Sequence, residues 1–241
     1  MDVRILDTAD QIAVAAGELF VRQIKTNPQT ILGLATGASP VKMYQYLISQ
    51  YRNGYLDFSE VRTYNLDEYC DLPRDDKNSY YTFMHENLFN HINIKEENVH
   101  LPNGNAPDMA AECASYDKMI ADIGGVDIQL LGIGTNGHIG FNEPADTFTE
   151  GTYKVKLTDS TIKSNSIYFD EGAMPRFAVT MGVGTIMTAK KIVLIATGES
   201  KQNAVYAMVR GEVTPHCPAS ILQQHPDAVI FADRAAAAKL L

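Results

Sequence analysis

The sequence predicts an α/β fold: a doubly wound, largely parallel sheet with helices on both faces. Two observations carry this prediction. Short apolar, β-type runs alternate with amphipathic stretches along all 241 residues, the signature of βα units. Val126, Ile128, Leu130 and Leu131 also form a short apolar run bounded by Gly124-Gly125 and Gly132, as an interior parallel strand does.

Residues 8 to 25 mix Ile12, Leu19, Phe20 and Ile24 with Asp10, Glu18, Arg22 and Lys25, which predicts an amphipathic helix rather than a basic region followed by an apolar core. Thr30 to Ala35 reads as a strand, and Pro40 to Arg52 as a helix with proline in its first turn. Val61 to Asn65 is the next strand, followed by an aromatic-rich helix from Ser79 to His91 begun by a serine cap. Asn98 to Leu101 is a short strand, and Pro107 to Asp122 a helix. Beyond the strand ending at Leu131, Phe177 to Met181 and Lys191 to Thr197 are strands, the second feeding a helix from Glu199 to Val209. Ala228 to Phe231 is the last strand. No repeat, low-complexity linker or composition break interrupts the pattern, so residues 1–241 are expected to form a single Rossmann-like domain.

The most informative segment is VDIQLLGIGTNGHIGFNEP, residues 126 to 144. A buried strand runs into a loop whose glycines at 132, 134, 137 and 140 let the backbone turn tightly and approach a ligand. His138 and Glu143 lie five residues apart in that loop, with Asn136 two residues before the histidine. Open α/β sheets bind ligands at the carboxyl ends of their strands, where this loop belongs. Gly132, Gly134 and Gly137 also satisfy G-x-G-x-x-G, but a dinucleotide site needs those glycines to open a helix. Here Gly140, Asn142 and Pro144 oppose a regular helix, and Glu150 and Asp159 fall outside or at the edge of the spacing a ribose-binding acid requires. A His–Glu–Asn constellation is the better reading.

Composition narrows the partners. A formal charge of −9 opposes general binding to nucleic acid or anionic membranes, so an anionic metabolite has to be held by local donors. No run of eighteen apolar residues exists to span a membrane. Cys70, Cys113 and Cys217 are scattered without a C-x-x-C, which implies neither a disulfide framework nor a zinc site. A cytoplasmic protein is expected.

Three further segments look chemical, each with a plainer alternative. In ILGLATGASP, residues 31 to 40, a strand ends in Thr36, Gly37, Ala38 and Ser39 before Pro40 opens a helix. Hydroxyls and backbone N–H groups at a helix start suit a phosphate, although an ordinary strand-to-helix turn explains the same residues. In TYNLDEYCDLP, Asp67 and Glu68 follow a strand between Tyr64 and Tyr69, placing a carboxylate where apolar neighbours can raise its pKa for proton transfer. Adjacent loop acids are more often simply solvated. In ATGESKQ, residues 196 to 202, Lys201 sits in the first turn of a helix, where a cation opposes the dipole unless an anion joins it.

Together these segments resemble the glucosamine-6-phosphate deaminases (isomerases). The resemblance covers essentially the whole chain and is carried by LGLATGASP, NLDEY, SYYTFMHENLF, LPNGNAPD, GIGTNGHIGFNEP, TMGVGT and the GESK turn. It implies conversion of glucosamine 6-phosphate and water to fructose 6-phosphate and ammonia, with no metal or organic cofactor. His138 is implied to assist ring opening, held in orientation and tautomer by Glu143 and Asn136. Asp67 is implied to move the proton from C2 to C1. Thr36, Gly37, Ala38, Ser39 and Lys201 are implied to grip the phosphate, with Glu68 a supporting residue. Related 6-phosphogluconolactonases and sugar-phosphate sensors share the fold, but the lactonases' histidine loop typically lacks the Phe-Asn-Glu-Pro ending.

The chain departs from the pattern at two positions. Many members have aspartate where this chain has Asn136, which leaves Glu143 as the charged partner of His138. An arginine commonly placed on the phosphate corresponds to Ile167, so Lys163, Arg176 or Lys201 alone has to supply the charge. Allosteric hexamers of the family carry basic residues where this chain has Tyr153 and Val155, and a longer tail beyond Leu241. A monomer without activation by an amino-sugar phosphate is therefore expected.

Overall fold

The computed structural model describes residues 1–170 and 174–241. In its first half the strands are β1 (Asp2–Leu6), β2 (Ile31–Leu34), β3 (Arg62–Asn65), β4 (Asp67–Tyr69) and β5 (Val99–His100). The helices among them are α1 (Ala9–Thr26), α2 (Ala38–Arg52), α3 (Tyr80–Asn87) and α4 (Met109–Asp122). The second half adds β6 (Ile128–Leu131), β7 (Tyr153–Lys156), β8 (Phe177–Thr180), β9 (Ile192–Ala196) and β10 (Ala228–Asp233). Its helices are α5 (Asp159–Asn165), α6 (Val183–Ile186) and α7 (Gln202–Arg210).

Seven strands form one parallel sheet in the order β1-β10-β9-β6-β2-β3-β5, with helices on both faces. The chain builds outward from β2 in one direction through β3 and β5, and in the other through β6, β9 and β10. The winding therefore reverses between β2 and β6, and the loops leaving those neighbours part to open a crevice at their carboxyl ends. Strands β2, β6 and β9 are buried along their whole length, which is why their sequences lack in–out alternation.

Helix α1 starts where Thr8 accepts a hydrogen bond from the Gln11 N–H, and it buries Ile12, Ala16, Phe20 and Ile24 against α2, β9 and β10. Fully burying a side chain such as Phe20 contributes about 1.5–3 kcal/mol. Side chains cap α3 (Ser79), α4 (Asp108) and α5 (Thr158) in the same way. Helix α2 has no side-chain cap and begins after Gly37, whose φ of 89° a residue with a Cβ rarely adopts.

A second sheet was not legible as such in the sequence. Strands β4, β8 and β7 pair antiparallel in that order, Asp67 opposite Thr180 and Tyr153 opposite the same threonine from the other side. Phe177 to Thr180 thus lies outside the main sheet. Leu66 joins the two sheets: its N–H bonds Leu34 of β2, and its carbonyl accepts from Met181 just past β8. No helix among the described residues is long and apolar enough to cross a membrane.

Candidate active site

A cavity of about 460 Å3 occupies the crevice at the carboxyl ends of β2, β3, β6 and β9. Each of those strands delivers one of the segments singled out above. Strand β2 ends in Thr36, Gly37, Ala38 and Ser39; β3 leads through Leu66 to Asp67; β6 leads to Gly134 and His138; β9 leads to Thr197 and Lys201. All of these residues line the cavity.

Asp67 is the first residue of β4, at the junction of the two sheets, and only 5% exposed. Its Oδ2 lies 3.5 Å from the place a Cβ on Gly140 would take, so the carboxyl faces the histidine loop directly. Burial, reinforced by the charge of Glu68, pushes its pKa from 3.8 up to about 8. Glu68 points elsewhere and accepts the backbone N–H groups of Tyr69, Tyr80 and Tyr81 at 2.8 to 2.9 Å. It therefore anchors the start of α3, and burial raises its pKa against the pull of those donors.

His138 sits in a loop shaped around its ring. An ideal Cβ at Gly134 would lie 2.2 Å from His138 Cε1, so only glycine lets the imidazole fold back over the loop. Nδ1 of His138 is 3.4 Å from Glu143 Oε1, at contact distance but outside hydrogen-bond alignment. Asn136 does not meet the imidazole. Its Nδ2 donates to Glu143 Oε2 at 2.6 Å, and its Oδ1 accepts from the His138 backbone N–H at 3.2 Å. The asparagine thus shapes the loop and holds the glutamate. Burial works against the Glu143 charge, yet the His138 ring, Thr161 and Asn136 outweigh it and bring its pKa down to about 2.

One end of the cavity combines the uncapped first turn of α2 with the hydroxyls of Thr36 and Ser39. Lys201 reaches the same cavity, has no carboxylate within 4 Å among the described residues, and is depressed in pKa by burial. Ile167 is 76% exposed, and neither it nor Lys163 nor Arg176 lines the cavity. Of Lys163, Arg176 and Lys201, Lys201 alone lines this cavity.

Several wall residues escaped the sequence reading. Tyr80 closes one side, donating to Tyr69 Oη at 3.3 Å and facing the Thr36 hydroxyl. Thr161 and Asn165 contribute from α5, and Phe141 from the histidine loop. The serine cap at Ser79 and the T-x-x-T pattern of Thr158 and Thr161 were visible signals for where those helices start. They did not say which cavity the helices would face.

The comparisons with known proteins follow the same outline. The family model of glucosamine-6-phosphate isomerases/6-phosphogluconolactonases matches residues 7–231. The glucosamine-6-phosphate deaminase of Lysinibacillus sphaericus (strain C3-41) is 53% identical over 227 residues, 94% of this chain and 96% of that protein. That of Clostridium botulinum (strain Alaska E43 / Type E3) is 47% identical over 241 residues, 100% of this chain and 97% of that protein. Among solved structures, a monomeric glucosamine-6-phosphate deaminase superposes with a TM-score of 0.96 at 41% identity, covering 99% of each chain. A 6-phosphogluconolactonase from Trypanosoma brucei superposes with a TM-score of 0.76 at 20% identity over 100% of this chain and 98% of its own, a likeness of fold alone.

Proposed function

The chain belongs to the glucosamine-6-phosphate isomerase/6-phosphogluconolactonase family, and within it we infer a glucosamine-6-phosphate deaminase, converting glucosamine 6-phosphate and water to fructose 6-phosphate and ammonia. The observation that carries the residue-level reading is a buried carboxyl and a carboxylate-backed imidazole lining one cavity that ends at the uncapped first turn of α2.

The dianionic phosphate sits on the first turn of α2, with Thr36, Gly37, Ala38, Ser39 and Lys201, and its binding energy positions the reacting carbons. His138 takes the proton of the anomeric hydroxyl and returns it to the ring oxygen, breaking the bond between C1 and that oxygen. Glu143 stabilises the imidazolium formed in between, and Asn136 keeps Glu143 in place. Asp67 then removes the C2 proton while the substrate ammonium gives one of its protons to the C1 oxygen, forming the enolamine; Asp67 returns its proton to C1, leaving a CH2OH group there and an iminium at C2. Water adds at C2 and ammonia departs. The substrate's own ammonium favours ionised Asp67 once bound, which reconciles a carboxyl that holds its proton to about pH 8 in the free protein with a role as base. A lactonase has no need of a base aimed at C2.

We place the whole chain, residues 1–241, in the cytoplasm as a single-domain monomer. Three free, buried cysteines fit a reducing compartment, and Tyr153 and Val155 supply no charge for an allosteric anion. The reaction is tested by incubating the purified protein with glucosamine 6-phosphate and, separately, with 6-phosphogluconolactone. Ammonia released in step with fructose 6-phosphate is expected. Lactone hydrolysis without ammonia release overturns the assignment.

A further inference from the structure

Helix α5 forms part of the cavity wall but has no part in the reaction as written above. Thr161 and Asn165 both line the cavity from it. Thr161 donates its hydroxyl to Glu143 Oε1 at 2.5 Å, and Thr158, which caps the helix, reaches the same oxygen at 3.3 Å. His138 Nδ1 faces that oxygen too, at 3.4 Å and out of hydrogen-bond alignment. The other oxygen of Glu143 is committed to Asn136 Nδ2. Three groups therefore address Oε1, and the closest is a hydroxyl carried by α5.

That arrangement has a consequence for the imidazole. A carboxylate oxygen positions a histidine only as well as the oxygen is itself positioned, and a donor to a charged oxygen is among the stronger neutral-side-chain contacts. With Asn136 fixing one oxygen and Thr161 the other, the carboxylate is oriented from both ends before His138 engages it. The far end of α5 is anchored as well: Asn165 Nδ2 donates to Tyr69 Oη at 3.1 Å, and Tyr69 also receives Tyr80, which faces Thr36 of the phosphate turn. Helix α5 thus spans from the phosphate side of the cavity to the partner of His138.

Resting on the deaminase reading above, we propose that Thr161 is a positioning residue that orients Glu143 toward His138, so that ring opening depends on the seating of α5. The valine variant keeps the shape of the side chain and deletes its hydroxyl; the serine variant keeps the hydroxyl. In Thr161→Val, kcat for ammonia release is expected to fall about ten- to a hundredfold, the scale of one hydrogen bond to a charged group, while KM stays within about twofold. Thr161→Ser is expected to recover most of that loss, and both variants to melt cooperatively. Equal kcat in Thr161→Val and wild type, or Thr161→Ser as impaired as Thr161→Val, overturns the proposal.

A second readout does not depend on which substrate is turned over. The ring-nitrogen resonances of His138, followed by NMR in the free protein, are expected to move in Thr161→Val and to return in Thr161→Ser. Resonances unchanged in Thr161→Val overturn the proposal whatever the reaction. A wild-type protein that releases no ammonia, with those resonances shifted, instead overturns the deaminase reading and leaves the orienting contact in place.

Discussion

A buried carboxyl group beside a second acid keeps its proton well above the ordinary carboxylate range, and Asp67 is such a group, with a pKa of about 8. Tyr80, Tyr69 and Tyr116 are its other titratable neighbours, each neutral at that pH because burial raises its own pKa. The pH dependence follows for function and for stability alike. In the free protein kcat/KM is expected to fall as pH drops below about 8, while the limb in kcat, which reports the occupied site, lies lower because of the substrate ammonium. For stability, the folded state holds the Asp67 proton from 3.8 up to about 8 whereas the unfolded chain has released it, so folding binds protons in that window. Stability conferred at low pH is thus lost as pH rises through it. Asp67→Asn removes this penalty and is expected to melt at a higher temperature than wild type at pH 9, with the difference shrinking toward pH 4. Thermal unfolding scans at the two pH values check the sign.

At the scale of elements, the parts of the site that rest on the parallel sheet were legible, and the parts that rest on packing were not. Thr36 to Ser39, His138 and Lys201 each follow a wholly buried strand, and such strands announce themselves by apolar runs ending in glycine. Strands β4 and β7 gave no such signal. Asp67–Tyr69 is three residues long and polar at its start, and Tyr153–Lys156 alternates lysines with half-buried residues on the outer edge of a small sheet. Edge strand β1 carries Asp2 and Arg4 and was missed for the same reason. Sequence spacing puts Asn136 near His138 but does not show the route of its contacts, which run to Glu143 and to the His138 backbone N–H. Thr161 had no legible role, since its partner lies eighteen residues earlier and on another element.

The whole molecule carries a net charge of −9, so on the proposed reading attraction of an anionic substrate falls to one lysine, a helix start and two hydroxyls concentrated in the crevice. The resemblance to glucosamine-6-phosphate deaminases carried the residue roles that no local motif established. At this scale the chain is expected to sediment as a monomer and to saturate hyperbolically with glucosamine 6-phosphate, unaffected by N-acetylglucosamine 6-phosphate. Sigmoidal saturation relieved by that compound contradicts this. The central claim, a deaminase whose C2 base is Asp67, is tested most directly by measuring ammonia release by Asp67→Asn beside its affinity for glucosamine 6-phosphate. The account predicts turnover reduced at least about a thousandfold, with sugar-phosphate binding kept within about tenfold of wild type. Turnover near the wild-type rate in a variant that binds normally contradicts it.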